Sequence, residues 1–178
     1  MAAEARQQLS DDHRAVDEVL TQLLAALDNK DVEASYSKLD LLWARLAVHI
    51  RAEHLHLFPT VINRLATDSS EAQSVVDDLR ADHDFFMREL ARAVAILREL
   101  PPRLDSPDAQ AKWSSVVDIV ASVKTRLESH NEIEENQVYR WTDTILTKPE
   151  QIDLAMRIKA ELEHRPPRFS VEAWANNS

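Results

Sequence analysis

Apolar residues recur at steps of three and four along nearly the whole chain, the spacing of helices that each bury one face, so helix packed on helix is the expected fold. None of the 178 residues is glycine, so hairpin turns and phosphate-cradling loops lack their usual residue. Breaks fall instead on Pro, Asp, Ser and Asn. A first helix is expected from Ser10 or Asp11 to about Leu27, followed by the polar turn Asp28-Asn29-Lys30-Asp31. A second runs from Val32 to about Ala66, with a kink or break predicted at Pro59. Asp68-Ser69-Ser70-Glu71 offers caps for a third helix, which ends before Pro101-Pro102. Ser106 and Pro107 open a fourth, reaching about Trp141, and Lys148-Pro149 opens a shorter fifth. The chain 1–178 thus reads as one all-α domain. Its core is an up-down-up-down four-helix bundle over about residues 10–142, with an extra helix over about 149–163. A loose tail over 164–178 carries Phe169 and Trp174 as docking residues, and no internal repeat is apparent.

Composition narrows the function. A formal net charge of −10 argues against a general nucleic-acid binder, which needs a basic face for phosphates. Without cysteine there is no disulfide, thiol nucleophile or iron–sulfur cluster. No apolar run approaches the roughly 20 residues of a membrane span, and the N-terminus lacks a signal-peptide apolar region. The expectation is a soluble, cytoplasmic protein with no membrane or nucleic-acid partner.

The seams themselves carry an anomaly. The first helix places His13, Val16, Leu20, Leu23 or Leu24, and Leu27 on one face. The second gives Leu39, Leu42, Leu46, His49, Glu53, Leu57 and Val61; the third gives Val76, Leu79, His83, Phe86, Leu90, Val94 and Leu97. The fourth gives Trp113, Val116, Val120, Val123, Leu127, His130, Glu134, Val138 and Trp141. Four histidines and two glutamates therefore occupy positions that would ordinarily hold leucine. An unpaired carboxylate in a core costs several kcal/mol, so something must compensate. Depth agrees for the first three helices: His13 and His49 lie at similar distances from the first turn, as do Glu53 and His83 from the second. His130 lies about six residues further from its connection than His83, so residues 107–112 are expected to overhang the bundle or form a separate turn.

Histidine at i and glutamate at i+4 share a helix face, so His49/Glu53 and His130/Glu134 each present an imidazole and a carboxylate to one place. Mixed nitrogen and oxygen donors without sulfur suit iron or manganese better than a structural zinc. Four nitrogens and two carboxylates also leave octahedral ions with positions for a small ligand.

In this arrangement the chain resembles the hemerythrin-like, or HHE cation-binding, family. The motif order is a histidine in helix one, His-x-x-x-Glu in helix two, a histidine in helix three and His-x-x-x-Glu in helix four. The matching stretches are DDHRAVDEVL, HIRAEHLHLFP, LRADHDFF and HNEIEENQVY, over roughly residues 10–142. The resemblance implies a hemerythrin-like four-helix bundle around two iron ions, bridged by carboxylates and an oxo or hydroxo group. His13, His49, His83 and His130 would be terminal ligands and Glu53 and Glu134 the bridges. His56, seven residues after His49, is a possible extra ligand or supporting partner.

The departures bear on activity. Oxygen-carrying hemerythrins have a second helix-three histidine, whereas the places four before and four after His83 are Leu79 and Met87. Their second carboxylate follows its histidine by five residues, a place held here by Glu135, while Glu134 fits the wider family. Fewer histidines leave an iron more open and less suited to reversible oxygen carriage. The reading favoured here is reaction with a small oxidant, with decomposition of hydrogen peroxide as the enzymatic version, an oxidoreductase activity. Binding or sensing of oxygen or nitric oxide is the non-enzymatic alternative, and a metal-free helical interaction module is the third. A ferritin-like site built on Glu53-x-x-His56 and Glu161-x-x-His164 leaves the seam histidines unexplained. His54, about 100° round the helix from Glu53, is expected on the surface, and Tyr139, Trp43 and Met87 are expected to pack.

Overall fold

The computed structural model describes residues 4–65, 70–171 and 174, and every regular element among them is helical. They form α1 (Glu4–Asp28), α2 (Val32–Ala52), α3 (Phe58–Leu65), α4 (Ser70–Glu99), α5 (Pro107–Ile133), α6 (Tyr139–Ile145) and α7 (Lys148–Leu162). Two π-helical turns, Glu53–Leu57 and Glu134–Val138, join α2 to α3 and α5 to α6. The result is four long rods (α1, α2 with α3, α4, and α5 with α6) and the shorter α7. This is the all-α bundle expected.

Local chemistry explains the boundaries. Lys30 takes the left-handed conformation that ends α1, with φ 54°, where a glycine would be usual. The Asp31 carboxylate then caps α2 by accepting from the Ala34 N–H at 2.9 Å. Ser106 caps α5 in the same way, accepting from the Ala109 N–H, with Pro107 at the first helical position. The Glu150 carboxylate accepts from the Thr147 N–H at 2.8 Å at the head of α7. The proposed caps Asp68 and Ser69, and the end of the second helix at Ala66, lie outside the described residues.

Four expectations change. The first helix begins at Glu4, because Ala5 and Leu9 are buried and continue the His13 seam upstream in steps of four. Residues 107–112 neither overhang nor form a separate turn. They are the first turns of α5, Ala109 is buried, and the connecting segment returns along them with Gln110 Nε2 donating to the Leu104 carbonyl. The break foreseen at Pro59 is a π turn ahead of it, in which the Phe58 N–H reaches back five residues to the Glu53 carbonyl. The second π turn shifts its seam as well. Thr142, not Trp141, is the buried residue after Tyr139.

Apolar side chains form two clusters. The larger includes Val16, Leu20, Leu42, Leu46, Phe86, Leu90, Val123 and Leu127. The smaller includes Leu9, Leu57, Phe58, Leu79, Val138, Tyr139 and, from α7, Leu154 and Ile158. On every rod the seam histidine falls between the two clusters, so the polar residues make one layer across the bundle. Helix α2 packs closely on α4, whereas a cleft of about 170 Å³ between α1 and α5 is lined by Asp17, Leu20, Leu24, Lys124 and Leu127. Phe169 and Trp174 dock on the larger cluster, and Arg45 donates to the Trp174 carbonyl at 2.7 Å. No helix among the described residues is long and apolar enough to cross a membrane.

Candidate metal centre

Helical register brings His13 from α1, His49 from α2, His83 from α4 and His130 from α5 to one level, with Glu53 and Glu134 opening the two π turns. All six are buried, and both glutamates are fully so. The histidines fall into two pairs. His13 Nε2 lies 3.1 Å from His49 Nε2, and His83 Nε2 lies 3.0 Å from His130 Nε2. The carboxylates run between the pairs. Glu53 turns Oε1 to His49 at 3.3 Å and Oε2 to His83 at 3.4 Å. Glu134 turns Oε2 to His13 at 3.3 Å and Oε1 to His130 at 3.1 Å. Two four-residue groups able to hold an ion result, and they share both glutamates: His13, His49, Glu53, Glu134 and Glu53, His83, His130, Glu134.

The outward ring nitrogens are held too. His49 Nδ1 is 2.9 Å from Asp12 Oδ2, and Asp12 also accepts from Arg45. His130 Nδ1 is 3.1 Å from Asp82 Oδ2, and Asp82 accepts from Arg126. His13 Nδ1 meets Glu135 Oε1 at 3.0 Å, and His83 Nδ1 meets His54 Nε2 at 2.9 Å. A proton held at Nδ1 by these carboxylates leaves Nε2 of His13, His49 and His130 as the nitrogen that can ligate a cation in the centre. Tyr139 completes the layer. Its hydroxyl lies 2.9 Å from Glu53 Oε1, 3.1 Å from His13 Nε2 and 3.3 Å from Glu134 Oε2.

Without a cation this layer is electrostatically awkward. Burial and the neighbouring Glu134 carboxylate push the Glu53 carboxyl up. Burial also opposes ionisation of Glu134, but His130 and His13 outweigh it and hold that carboxyl well below its usual range. Burial disfavours the charged form of His49, yet Glu53 and Asp12 raise it well above the ordinary imidazole value. His83, with no carboxylate on its outer nitrogen, is pushed down to about 2 by burial. Burial also pushes the Tyr139 phenol well up, so it stays a hydroxyl in the metal-free layer.

The residues fit bound cations. Glu53 Oε2 and Glu134 Oε1 are buried without a hydrogen-bond partner, an arrangement a positive ion resolves. Two nitrogens bound to one ion at about 2.1 Å and a right angle stand about 3 Å apart, the spacing of each facing Nε2 pair. His56 stands outside the layer, with Nε2 3.8 Å from Glu161 Oε2. Glu161 also pairs with Arg51, and His164 is exposed, so the ferritin-like pattern does not converge.

Several residues of the site were not legible as such. His54 is not a free surface residue, because the π turn beginning at Glu53 swings it onto His83. Tyr139 packs but also directs its hydroxyl at the carboxylates. Asp12 and Asp82 each precede a seam histidine, and Arg45 and Arg126 each lie four residues before one, a regularity present in the sequence.

Fold and site together define a class: a helical bundle with a buried layer of histidines and carboxylates able to hold cations. The chain belongs to the hemerythrin HHE cation-binding domain family, whose model matches residues 5–142. Comparison with curated proteins and with solved structures finds no match.

Proposed function

We propose that the chain is a non-haem di-iron protein that reacts with a small oxidant, and that it decomposes hydrogen peroxide. The observation that carries the dinuclear reading is the division of each carboxylate, with one oxygen of Glu53 and one of Glu134 facing each histidine pair. A donor set of nitrogen and oxygen without sulfur favours iron or manganese, and membership of the family favours iron. Bound there, iron supplies a redox centre and a Lewis acid with positions left for a small ligand.

The chain's own residues prepare that layer. Asp12, Asp82 and Glu135 fix three of the four imidazoles in the ligating tautomer. The Tyr139 hydroxyl donates toward Glu53 Oε1 and supplies a proton donor inside the buried layer. Phe58 and Phe86 wall the His83/His130 side. Leu79 and Met87 stand where a further histidine would close a coordination position, and Leu79 is buried in the smaller cluster. That favours turnover over reversible carriage.

An oxygen electrode tests the activity. Protein carrying two irons per chain is expected to release one dioxygen for every two peroxides consumed. No dioxygen release removes the peroxide reading. A stable, reversible oxygen adduct of the reduced protein in stopped-flow spectra would replace it with oxygen binding.

A further inference from the structure

The two halves of the site correspond residue by residue. Asp12-His13 on α1 matches Asp82-His83 on α4. Arg45, His49, Glu53 and Phe58 match Arg126, His130, Glu134 and Tyr139, with the same spacings. The contacts match as well. Each aspartate holds the histidine of the following rod and is held by that rod's arginine. The aromatic five residues after each glutamate stacks on a histidine of the opposite half: Phe58 on His83 with centroids 5.8 Å apart, and Tyr139 on His13 at 5.7 Å.

The correspondence fails at two positions, and both failures favour the same half. Behind His13 stands the carboxylate of Glu135; behind His83 stands the imidazole of His54. Over His13 lies Tyr139, whose hydroxyl enters the layer; over His83 lies Phe58, which has none. The Asp12 and Asp82 partners are alike and discriminate nothing.

We propose that the two cation positions are unequal and that the His13/His49 position fills first. The inference rests on reading the layer as a dinuclear metal centre. A ring whose Nδ1–H donates to a carboxylate becomes a stronger ligand at Nε2, and loss of such a partner typically weakens metal affinity about 10–100-fold. Both histidines of the first position have that support, whereas only His130 has it in the second. A neutral imidazole acceptor polarises His83 less, because hydrogen bonds to an ionised acceptor are roughly twice as strong. Tyr139 adds an oxygen 3.1 Å from His13 Nε2.

The test uses the full chain freed of metal, zinc as a redox-inert probe, and nitrogen-15 spectra of the imidazole rings. The His13 and His49 signals are expected to reach their bound positions at one equivalent, with His83 and His130 following between one and two. H54E, which places a carboxylate behind His83, is expected to narrow the separation between the two affinities about tenfold in a calorimetric titration. Four rings responding in parallel, His83 and His130 responding first, or an unchanged separation in H54E would each overturn this inference while leaving the dinuclear reading intact. Failure of any zinc to bind would overturn both.

Discussion

The hydroxyl of Tyr139 stands 2.9 Å from Glu53 Oε1, joining a residue of the last rod to the carboxylate that opens the π turn of the second. The contact depends on the other π turn, since the Tyr139 N–H bonds back five residues to the Glu134 carbonyl. The extra residue in that turn brings both Glu134 and Tyr139 to the buried face. The corresponding insertion places Glu53 and Phe58 on the buried face of the second rod.

Tyr139→Phe removes that hydroxyl without removing the ring, and Phe58 shows that a phenyl ring packs at the corresponding position. In the metal-free protein the substitution takes a donor from a buried carboxyl and is expected to cost about 1–3 kcal/mol. Urea unfolding in the presence of a chelator measures it.

Cation loading should release protons. Burial works against charge on His49, but Glu53 and Asp12 raise it well above the ordinary imidazole value, so the metal-free ring holds its second proton more tightly than a free imidazole does. Ligation through Nε2 displaces that proton. Titration of the metal-free chain with ferrous iron in weak buffer at pH 7 should acidify the solution, with apparent affinity rising as pH rises.

His83 should make the metal-free fold sensitive to acid. Burial holds it down at about 2, so the folded ring stays neutral while the unfolded ring protonates below about 6.5. The unfolded state then binds the extra proton, so the contribution of His83 to stability falls as pH drops below about 6.5. At pH 5 this contribution is about 2 kcal/mol. His83→Leu should remove it, which urea midpoints at pH 7.5 and 5 for both proteins will show.

Packing and metal binding should separate at Leu42, which is fully buried in the larger cluster and belongs to neither ligand group. Leu42→Ala is expected to cost about 2–5 kcal/mol in thermal or urea unfolding. Metal content at 20 °C should stay that of the wild type.

The four rods and the six inward polar residues were legible because helical spacing is a one-dimensional signal, and a histidine on a leucine seam stands out against it. The π turns were not, since an inserted backbone residue leaves no compositional trace; they moved the last seam from Trp141 to Thr142 and turned His54 inward. Asp12, Asp82 and Glu135 were missed because each lies beside its own seam and reaches a histidine on another rod, a contact no single-helix projection contains. The correspondence between the two halves is hard to read in the sequence for a related reason. Its shared residues are few and scattered, and they become obvious only when the contacts are paired.

The most direct test of the central claim is metal content with an optical spectrum on anaerobically purified protein, repeated for Glu53→Ala and His130→Ala. Two irons per chain, with the near-ultraviolet absorption of a bridged ferric pair after exposure to air, are expected in the wild type. Loss of that absorption is expected in both variants, because each removes a donor that faces the layer. No iron after anaerobic reconstitution, with an unfolding midpoint indifferent to chelator, would contradict the account and leave a helical bundle whose buried histidines serve packing alone.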